Sequence, residues 1–302
     1  MQIYLPIAEM TVPVEAILAL GTVVGFLSSV FGVGGGFLAT PFLIFLGVPA
    51  SIAVGTQANQ LVASSVSGSL THWSRGNVDI KLGLVMLGGS VIGSIIGIGL
   101  FKLLQHLGQI DAAINILYVI FLGIIGAMMF IESIYALLKK QTADKGRSKF
   151  WIRLGETLPY PIHFPKSKLY ISALLPAGIG FLGGILVSIM GIGGGFFMVP
   201  AMIYILGMPT LMVAGTSLFQ IMFTTAFATI MHSVANHTVD LVLAVLLIAG
   251  GVAGSQIGVR AGKYIRGAPA RLLLASMLIL VAMKLASDLF VPPFELFTLQ
   301  VR

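Results

Sequence analysis

The chain has 302 residues, of which 57% are hydrophobic and only 9% carry a charge. Soluble globular proteins contain about a quarter charged residues, so this composition excludes that class and indicates an integral membrane protein. The chain has no cysteine, which excludes disulfides and thiolate metal sites. Its net charge of +7 is concentrated in one stretch and therefore does not indicate a nucleic-acid partner.

Five apolar elements follow one another in each half of the chain. In the first half they cover residues 14–31, 37–47, 51–73, 79–101 and 111–138. In the second half they cover residues 171–190, 196–207, 211–233, 240–259 and 270–291. The long elements have the roughly 17 to 25 residues that a helix needs to cross a bilayer, whereas the second of each half has about half that length. We therefore predict an all-α polytopic membrane protein.

The two halves are internal repeats. FGVGGGFLATP at residues 31–41 aligns with MGIGGGFFMVP at residues 190–200, and matching Gly-Thr, His and Val-Asp pairs follow in the same order. We divide the chain into a first transmembrane repeat (1–138), a basic linker (139–170) and a second transmembrane repeat (171–302).

Positive charge predicts the topology. Eight of the 17 Lys and Arg residues lie within residues 139–168, so the linker is predicted to be cytoplasmic. If each half crosses an odd number of times, Arg75, Lys81 and the cluster Arg260–Arg271 also fall inside, and both termini fall outside. If the short segments instead returned to the side they entered from, that cluster would face outward. We therefore predict two repeats of inverted topology.

The glycine runs are expected to break a helix in each half. Four glycines in five residues, as in 32–36, cannot hold an ordinary helix, because each costs about 1 kcal/mol relative to alanine. Phe37 and Phe196 would then begin short helices whose free N–H groups and positive dipole ends could bind an anion without a charged side chain. Such paired, glycine-interrupted segments are typical of a transporter's binding site.

The glycines have two other interpretations. A dinucleotide-binding fingerprint requires a preceding strand and an acidic residue about twenty positions later, and both are missing. Close packing of helices through small residues remains open for the runs and is the better interpretation of Gly89, Gly93 and Gly97 with their mates Gly250, Gly254 and Gly258.

Polar residues that follow each short segment complete the candidate site. Their hydroxyls and amides could line a pocket or bond a neighbouring helix, since burying them unpaired costs several kcal/mol. The candidate substrate-binding residues are Gly34, Gly35, Gly36, Phe37, Thr40, Thr56, Gln57, Asn59 and Gln60 in the first half, and Gly193, Gly194, Gly195, Phe196, Thr216, Ser217 and Gln220 in the second.

Few ionisable residues lie in apolar sequence. Asp79 and Asp240 open the fourth helix of each half, which favours a role as N-caps, with proton transfer as the second interpretation. His72 and His232 also match across the repeat, and they could make interfacial hydrogen bonds or couple protons. No cluster has metal-ligand spacing and no nucleophile is paired with a base, so we expect no enzyme, cofactor or metal site.

The two segments FGVGGGFLATPFLIFLGVPASIAVGT and MGIGGGFFMVPAMIYILGMPTLMVAGTS resemble the repeats of the sulfite exporter family TauE/SafE, which are bacterial membrane permeases. The resemblance implies a secondary carrier of small anions, such as sulfite, sulfoacetate or related organosulfur anions, in the bacterial cytoplasmic (inner) membrane. Val199 stands where the first half has Thr40, so the two half-sites are not equivalent.

The expected mechanism is alternating access, with one half rocking against the other around an anion held near the midplane. Export is the favoured direction. A passive anion channel and proton- or sodium-coupled anion uptake are the alternatives. The expected partners are a small anionic substrate and the lipid bilayer, with a homodimer left open and no nucleic acid.

Overall fold

The computed structural model describes residues 2–31, 36–139, 158–261 and 268–290. In the first half the helices are α1 Val14–Phe31, α2 Gly36–Phe45, α3 Ala50–Ser74, α4 Ile80–His106 and α5 Ile110–Lys139. In the second half they are α6 Leu174–Met190, α7 Gly195–Tyr204, α8 Thr210–Met231, α9 Leu241–Ala261 and α10 Ala268–Phe290. Five helices of the described ranges are long and apolar enough to cross a membrane. The protein is therefore an all-α polytopic membrane protein, as predicted.

A short antiparallel β-hairpin precedes the first helix of each half. Hairpin 1 pairs β1 Gln2–Leu5 with β2 Met10–Pro13, and hairpin 2 pairs β3 Pro161–Phe164 with β4 Leu169–Ser172. Strands of four residues are too short to produce a periodic pattern, so the sequence does not predict them. The end of the predicted linker is thus folded, while its residues 140–157 lie outside the described part of the chain.

The short helices turn back along the helices that precede them. Leu43, near the end of α2, shares a hydrophobic core with Ile17 at the start of α1 and with Leu5 of hairpin 1. Met202 of α7 likewise packs with Leu175 at the start of α6. Each pair, α1–α2 and α6–α7, is therefore a helical hairpin with the glycine run at its tip. The short helices thus return to the end where the first helices begin, and the expectation that they cross to the other side is wrong. Because each hairpin begins and ends at the same end, three full-length helices remain in each half, and the number of crossings stays odd.

The first helix of each half packs against the fourth helix of the other half. Glycine allows the backbones to touch: a Cβ added to Gly25 of α1 would lie 2.1 Å from the carbonyl oxygen of Gly251 in α9, and one added to Gly89 of α4 would lie 2.0 Å from that of Ala177 in α6. The small-residue packing predicted for the fourth helices is present at Gly89, and the two halves interlock through it.

The two third helices lie side by side and run in opposite directions. Gly215, early in α8, lies against His72 near the end of α3, and Gly68 of α3 lies against Leu218 of α8. α3 and α8 occupy matching positions in the sequence repeat. The molecule consequently has a hairpin 1 end, where α1, α3 and α9 begin, and a hairpin 2 end, where α4, α6 and α8 begin.

Candidate functional site

The glycine run of the second half breaks the helix as expected. α6 ends at Met190, and α7 begins at Gly195. Gly191, Gly193 and Gly194 have φ values of +67°, +74° and +72°, a left-handed conformation that glycine adopts without strain. In the first half α1 ends at Phe31 and α2 begins at Gly36, and the candidate residues Gly34 and Gly35 lie outside the described residues.

Several backbone N–H groups at this break make no hydrogen bond to the residues that the structure describes. The first bonds of α7 run from the N–H groups of Phe197 and Met198 to the carbonyl oxygen of Gly194, at 3.1 and 2.8 Å. The N–H groups of Gly193, Gly194 and Gly195 donate no hydrogen bond within the described part of the chain, and all three residues are buried. Successive N–H groups in such a left-handed turn form an anion-binding concavity at a helix N-terminus.

The first turns of the two short helices meet inside the bundle. The rings of Phe37 and Phe196 stack with their centroids 5.1 Å apart and their planes at 21°. Leu61 of α3 fills the space beside both breaks, since a Cβ on Gly36 or on Gly193 would approach its Cδ1 atom to 2.7 or 2.9 Å. The structure thus brings Gly36, Phe37, Gly193 and Phe196 together, from both halves.

Side chains from other helices satisfy the carbonyl end of α6. The Tyr118 hydroxyl of α5 donates to the carbonyl oxygen of Met190 at 2.6 Å, and His232 Nε2 lies 2.8 Å from that of Ser188. Tyr118 is not among the candidates predicted from the sequence, although the helical pattern of α5 places it on the buried face. It lies on the buried face formed with Ile114 and Leu122, where its hydroxyl is a polar group among apolar side chains.

Thr40 is fully buried beside Tyr118. Val199, its counterpart in α7, stands in a half whose α10 contains no tyrosine. Thr40 Oγ1 is buried and has no hydrogen-bond partner among the described residues. That the two half-sites are not equivalent stays a prediction.

The two matched threonines brace the interlocked halves. Thr56 Oγ1 of α3 accepts a hydrogen bond from the backbone N–H of Asp240 at 2.9 Å, and Thr216 Oγ1 of α8 accepts one from that of Asp79 at 3.0 Å. Each bond joins a third helix to the start of the fourth helix of the other half. Their hydroxyls have this structural role, and substrate contact stays a prediction.

Asp79 and Asp240 cap their helices. Asp79 Oδ1 accepts from the N–H of Leu82 at 3.2 Å, and its Oδ2 accepts from the Ser167 hydroxyl of hairpin 2 at 2.6 Å. Asp240 repeats the arrangement with the N–H groups of Leu243 and of Ile7 in hairpin 1, at 3.1 and 2.9 Å. Each carboxylate therefore ties a hairpin to the fourth helix of the other half.

The remaining polar candidates mostly bond within α3 and α8. Gln57 donates to Gln60 Oε1 at 2.7 Å, and Gln220 donates to Thr224 Oγ1 at 2.8 Å. Asn59 and Ser217 bond carbonyl groups one turn earlier in their own helices. The side-chain carbonyl oxygens of Gln57 and Gln220 are buried and have no hydrogen-bond partner among the described residues.

A bundle of membrane helices in which two short helices meet at glycine-rich breaks is the architecture of a membrane transport protein. The chain belongs to the sulfite exporter TauE/SafE family, because the family model "Sulfite exporter TauE/SafE" matches residues 17–285.

Relatives with transporter names cover most of the chain. It is 27% identical over 278 residues to "Probable membrane transporter protein YunE" of Bacillus subtilis, an alignment that spans 89% of this chain and 96% of the relative. It is also 27% identical to YjnA of the same organism, over 89% of this chain and 98% of the relative, and to a probable membrane transporter protein of Xylella fastidiosa, over 79% and 80%. No solved structure matches the chain.

Proposed function

We propose that this membrane transporter is a secondary carrier of a small oxyanion of the organosulfur class, such as sulfite or a sulfonate like sulfoacetate. One observation carries the proposal: the N–H groups of Gly193, Gly194 and Gly195 are buried, have no partner among the described residues, and lie where the two broken helices meet. Three successive donors at the positive end of a helix suit the clustered oxygens of such an anion. The family's name agrees with this substrate class.

The site holds the anion with dipoles instead of a fixed positive charge. No Lys or Arg occurs in residues 174–204, which form α6, the break and α7. Backbone dipoles bind less strongly than a salt bridge and need no side-chain rearrangement, so binding should be modest and release easy. This suits a carrier, which has to let its substrate go on the far side of the membrane.

The packing favours moving bodies that differ from the two sequence halves. The halves touch backbone to backbone along α1–α9 and α4–α6, so they cannot rock apart as rigid blocks. We define unit 1 as hairpin 1, α1, α2 and α9, and unit 2 as hairpin 2, α6, α7 and α4. Alternating access then moves unit 1 against unit 2, with the stack of Phe37 on Phe196 at their contact.

Charge supports an inverted arrangement of the repeats with the hairpin 2 end in the cytoplasm. Lys81 donates to the carbonyl oxygen of His163 and Lys166 to that of Val78, both at this end. Arg75 and Arg260 lie at the same end, whereas the hairpin 1 end has Lys102 and Lys284. The positive-inside rule then places the linker in the cytoplasm and both termini outside the cytoplasmic (inner) membrane.

The direction of flux depends on what moves with the anion. An anion that moves alone is driven outward by an inside-negative membrane potential, at about 2.3 kcal/mol per charge for 100 mV, which favours export. A co-transported cation would reduce or reverse this drive. Saturable flux with counterflow would distinguish a carrier from a passive anion channel.

Flux into proteoliposomes tests the proposal. Purified protein is reconstituted, and uptake of labelled sulfite, methanesulfonate, sulfoacetate and sulfate is compared at several concentrations. Gly194→Leu is expected to abolish the saturable flux, because its side chain would fill the break at a φ of +72°. The matched control is Gly88→Leu, since nothing lies within 4 Å of a Cβ at Gly88. Equal flux in both variants, each shown to be folded by gel filtration, would refute the site.

A further inference from the structure

Four ionisable side chains are buried within the described part of the bundle: those of Asp79, Asp240, Tyr118 and His232. Both aspartates are held as helix caps by several donors, and tyrosine ordinarily ionises only near pH 10. Histidine is the side chain of this set that ordinarily changes charge near neutral pH. His232 is also in contact with the broken helix α6.

We propose that His232 is the proton-binding residue of the carrier and that each anion crosses together with one proton held there. The inference rests on the proposed function and adds the coupling ion to it. His232 is 1% exposed, and its ring lies edge-on to that of Phe101 in α4, with centroids 4.8 Å apart. A proton bound here is enclosed within the bundle and shielded from bulk water.

The hydrogen bonds of His232 define its neutral form. Nε2 faces the carbonyl oxygen of Ser188 at 2.8 Å, and a carbonyl can only accept, so Nε2 carries the hydrogen. Nδ1 lies 3.0 Å from the side-chain Nδ2 of Asn236, which donates to it. The neutral imidazole is thus fully bonded, and Nδ1 is the atom at which a proton can be added.

Asn236 can serve the protonated form equally well. Its Oδ1 atom is buried and has no hydrogen-bond partner among the described residues. A half-turn of the amide would exchange Nδ2 and Oδ1, so that Oδ1 accepts from the new Nδ1–H group. The proton can therefore be gained and lost through one side-chain rotation that keeps Nδ1 hydrogen-bonded in both forms.

A local change in helix geometry sets up this pair. α8 is followed by a π-helical turn, His232–Asn236, which places the side chains of these two residues against each other. The turn ends at His237, which has a φ of +52°. Such wide turns often occur at functional sites. In the first half α3 ends at Ser74, and His72 is only half-buried. Among the described residues, the buried histidine–asparagine pair therefore occurs in the second half alone.

Protonation of His232 would strengthen anion binding. Ser188 belongs to the last turn of α6, whose negative dipole end stabilises a positive imidazolium. The same charge lies next to the break that holds the anion, so each ligand favours the other reciprocally. No other ionisable residue occurs in α6 or α8. On the neighbouring α4 and the following loop, Lys102, His106 and His237 are exposed.

One proton moving with a monovalent anion carries no net charge. The flux should then follow the pH gradient and ignore the membrane potential. A gradient of one pH unit would support about tenfold accumulation of the anion, because one unit of pH is a tenfold ratio of proton activity. An acidic exterior drives uptake, and an acidic interior drives export.

The test uses full-length protein in proteoliposomes with sulfite and with methanesulfonate in separate experiments. Methanesulfonate stays a monoanion near neutral pH, so pH acts only on the protein. With the potential held at zero by potassium and valinomycin, wild type is expected to accumulate the anion about tenfold per pH unit. His232→Gln should lose this accumulation while still exchanging internal for external anion. His106→Gln, at an exposed position, is the matched control and should retain it.

Each result is decisive. About tenfold accumulation by His232→Gln would overturn this inference and leave the anion carrier intact. Wild-type protein that moves neither anion would overturn the proposed function and this inference together. Should His232→Gln fail to fold, Asn236→Asp decides, because a carboxylate beside Nδ1 would keep His232 protonated. That variant should exchange anion without pH-driven accumulation, and wild-type accumulation in it would contradict the proposal.

Discussion

Thr56 accepts a hydrogen bond from the backbone N–H of Asp240 at 2.9 Å, and the repeat reproduces the contact between Thr216 and Asp79 at 3.0 Å. Each bond starts in one half of the chain and ends in the other. The two halves are therefore not neighbouring domains, because each completes the capping and bracing of its partner.

Removal of one brace should destabilise the fold. Thr56→Val keeps the shape of the side chain but leaves the buried N–H of Asp240 without its acceptor, at a cost of about 1 to 3 kcal/mol. Thermal unfolding in detergent measures the loss. Thr71→Val is the matched control, because the exposed Thr71 hydroxyl bonds only the carbonyl group of Ser67 in its own helix. Equal melting temperatures for the two variants would argue against a bracing role.

The contact between α1 and α9 should not accommodate a side chain larger than that of glycine at Gly25. In Gly25→Ala the new Cβ would lie 2.1 Å from the carbonyl oxygen of Gly251, so α1 and α9 must separate. We expect destabilisation of about 1 to 3 kcal/mol, the usual range for overpacking. Gly99→Ala adds the same atom where nothing lies within 4 Å. If Gly25→Ala unfolds at the same temperature as Gly99→Ala, the close packing is wrong.

Labelling of single cysteines tests the proposed orientation, and the natural chain has no cysteine to interfere. Tyr4→Cys in hairpin 1 and Tyr170→Cys in hairpin 2 replace side chains that are 56% and 64% exposed. Added to intact cells, a membrane-impermeant maleimide should label Tyr4→Cys directly. It should label Tyr170→Cys only after the membrane is opened. The reverse pattern, or labelling of both sites in intact cells, would contradict the inverted arrangement.

Tyr118 should matter for both stability and transport. Tyr118→Phe removes the donor to the Met190 carbonyl group and leaves a buried acceptor unpaired, which costs about 1 to 3 kcal/mol. An unpaired carbonyl beside the anion site should also repel the anion and raise KM more than it lowers the maximal rate. Tyr135→Phe, at an exposed position of α5, provides the control for both measurements. An unchanged KM in Tyr118→Phe would show that the hydroxyl has no influence on the anion site.

Local sequence determines much of this structure. The glycine runs fix the breaks, because Gly193 and Gly194 hold positive φ values that other residues strain to adopt. Asp79 and Asp240 fix the starts of α4 and α9 through their own side chains. Features of this kind depend on residues close together in the chain, so the pattern of the sequence reveals them.

Contacts between residues far apart in the chain could not be predicted from the sequence. The Tyr118 hydroxyl bonds a carbonyl group 72 residues away, and Thr56 bonds the start of a helix 184 residues away. Neither partner can be identified from a pattern of residues that are close together in the chain. The strands of the hairpins are a different case, because four residues are too few to give a periodic signal. The packing of the first helix of one half against the fourth helix of the other depends on the shapes of the helix surfaces. Gly25 and Gly251 indicate that their helices pack closely, but they do not indicate which helix is the partner.

A structure determined with bound sulfite tests the central claim most directly. We expect density for the anion at the break between α6 and α7, with its oxygens about 2.7 to 3.2 Å from the backbone nitrogens of Gly193, Gly194 and Gly195. The same density should be missing in Gly194→Leu protein. Sulfite bound elsewhere, with these three nitrogens unoccupied, would contradict the proposed site.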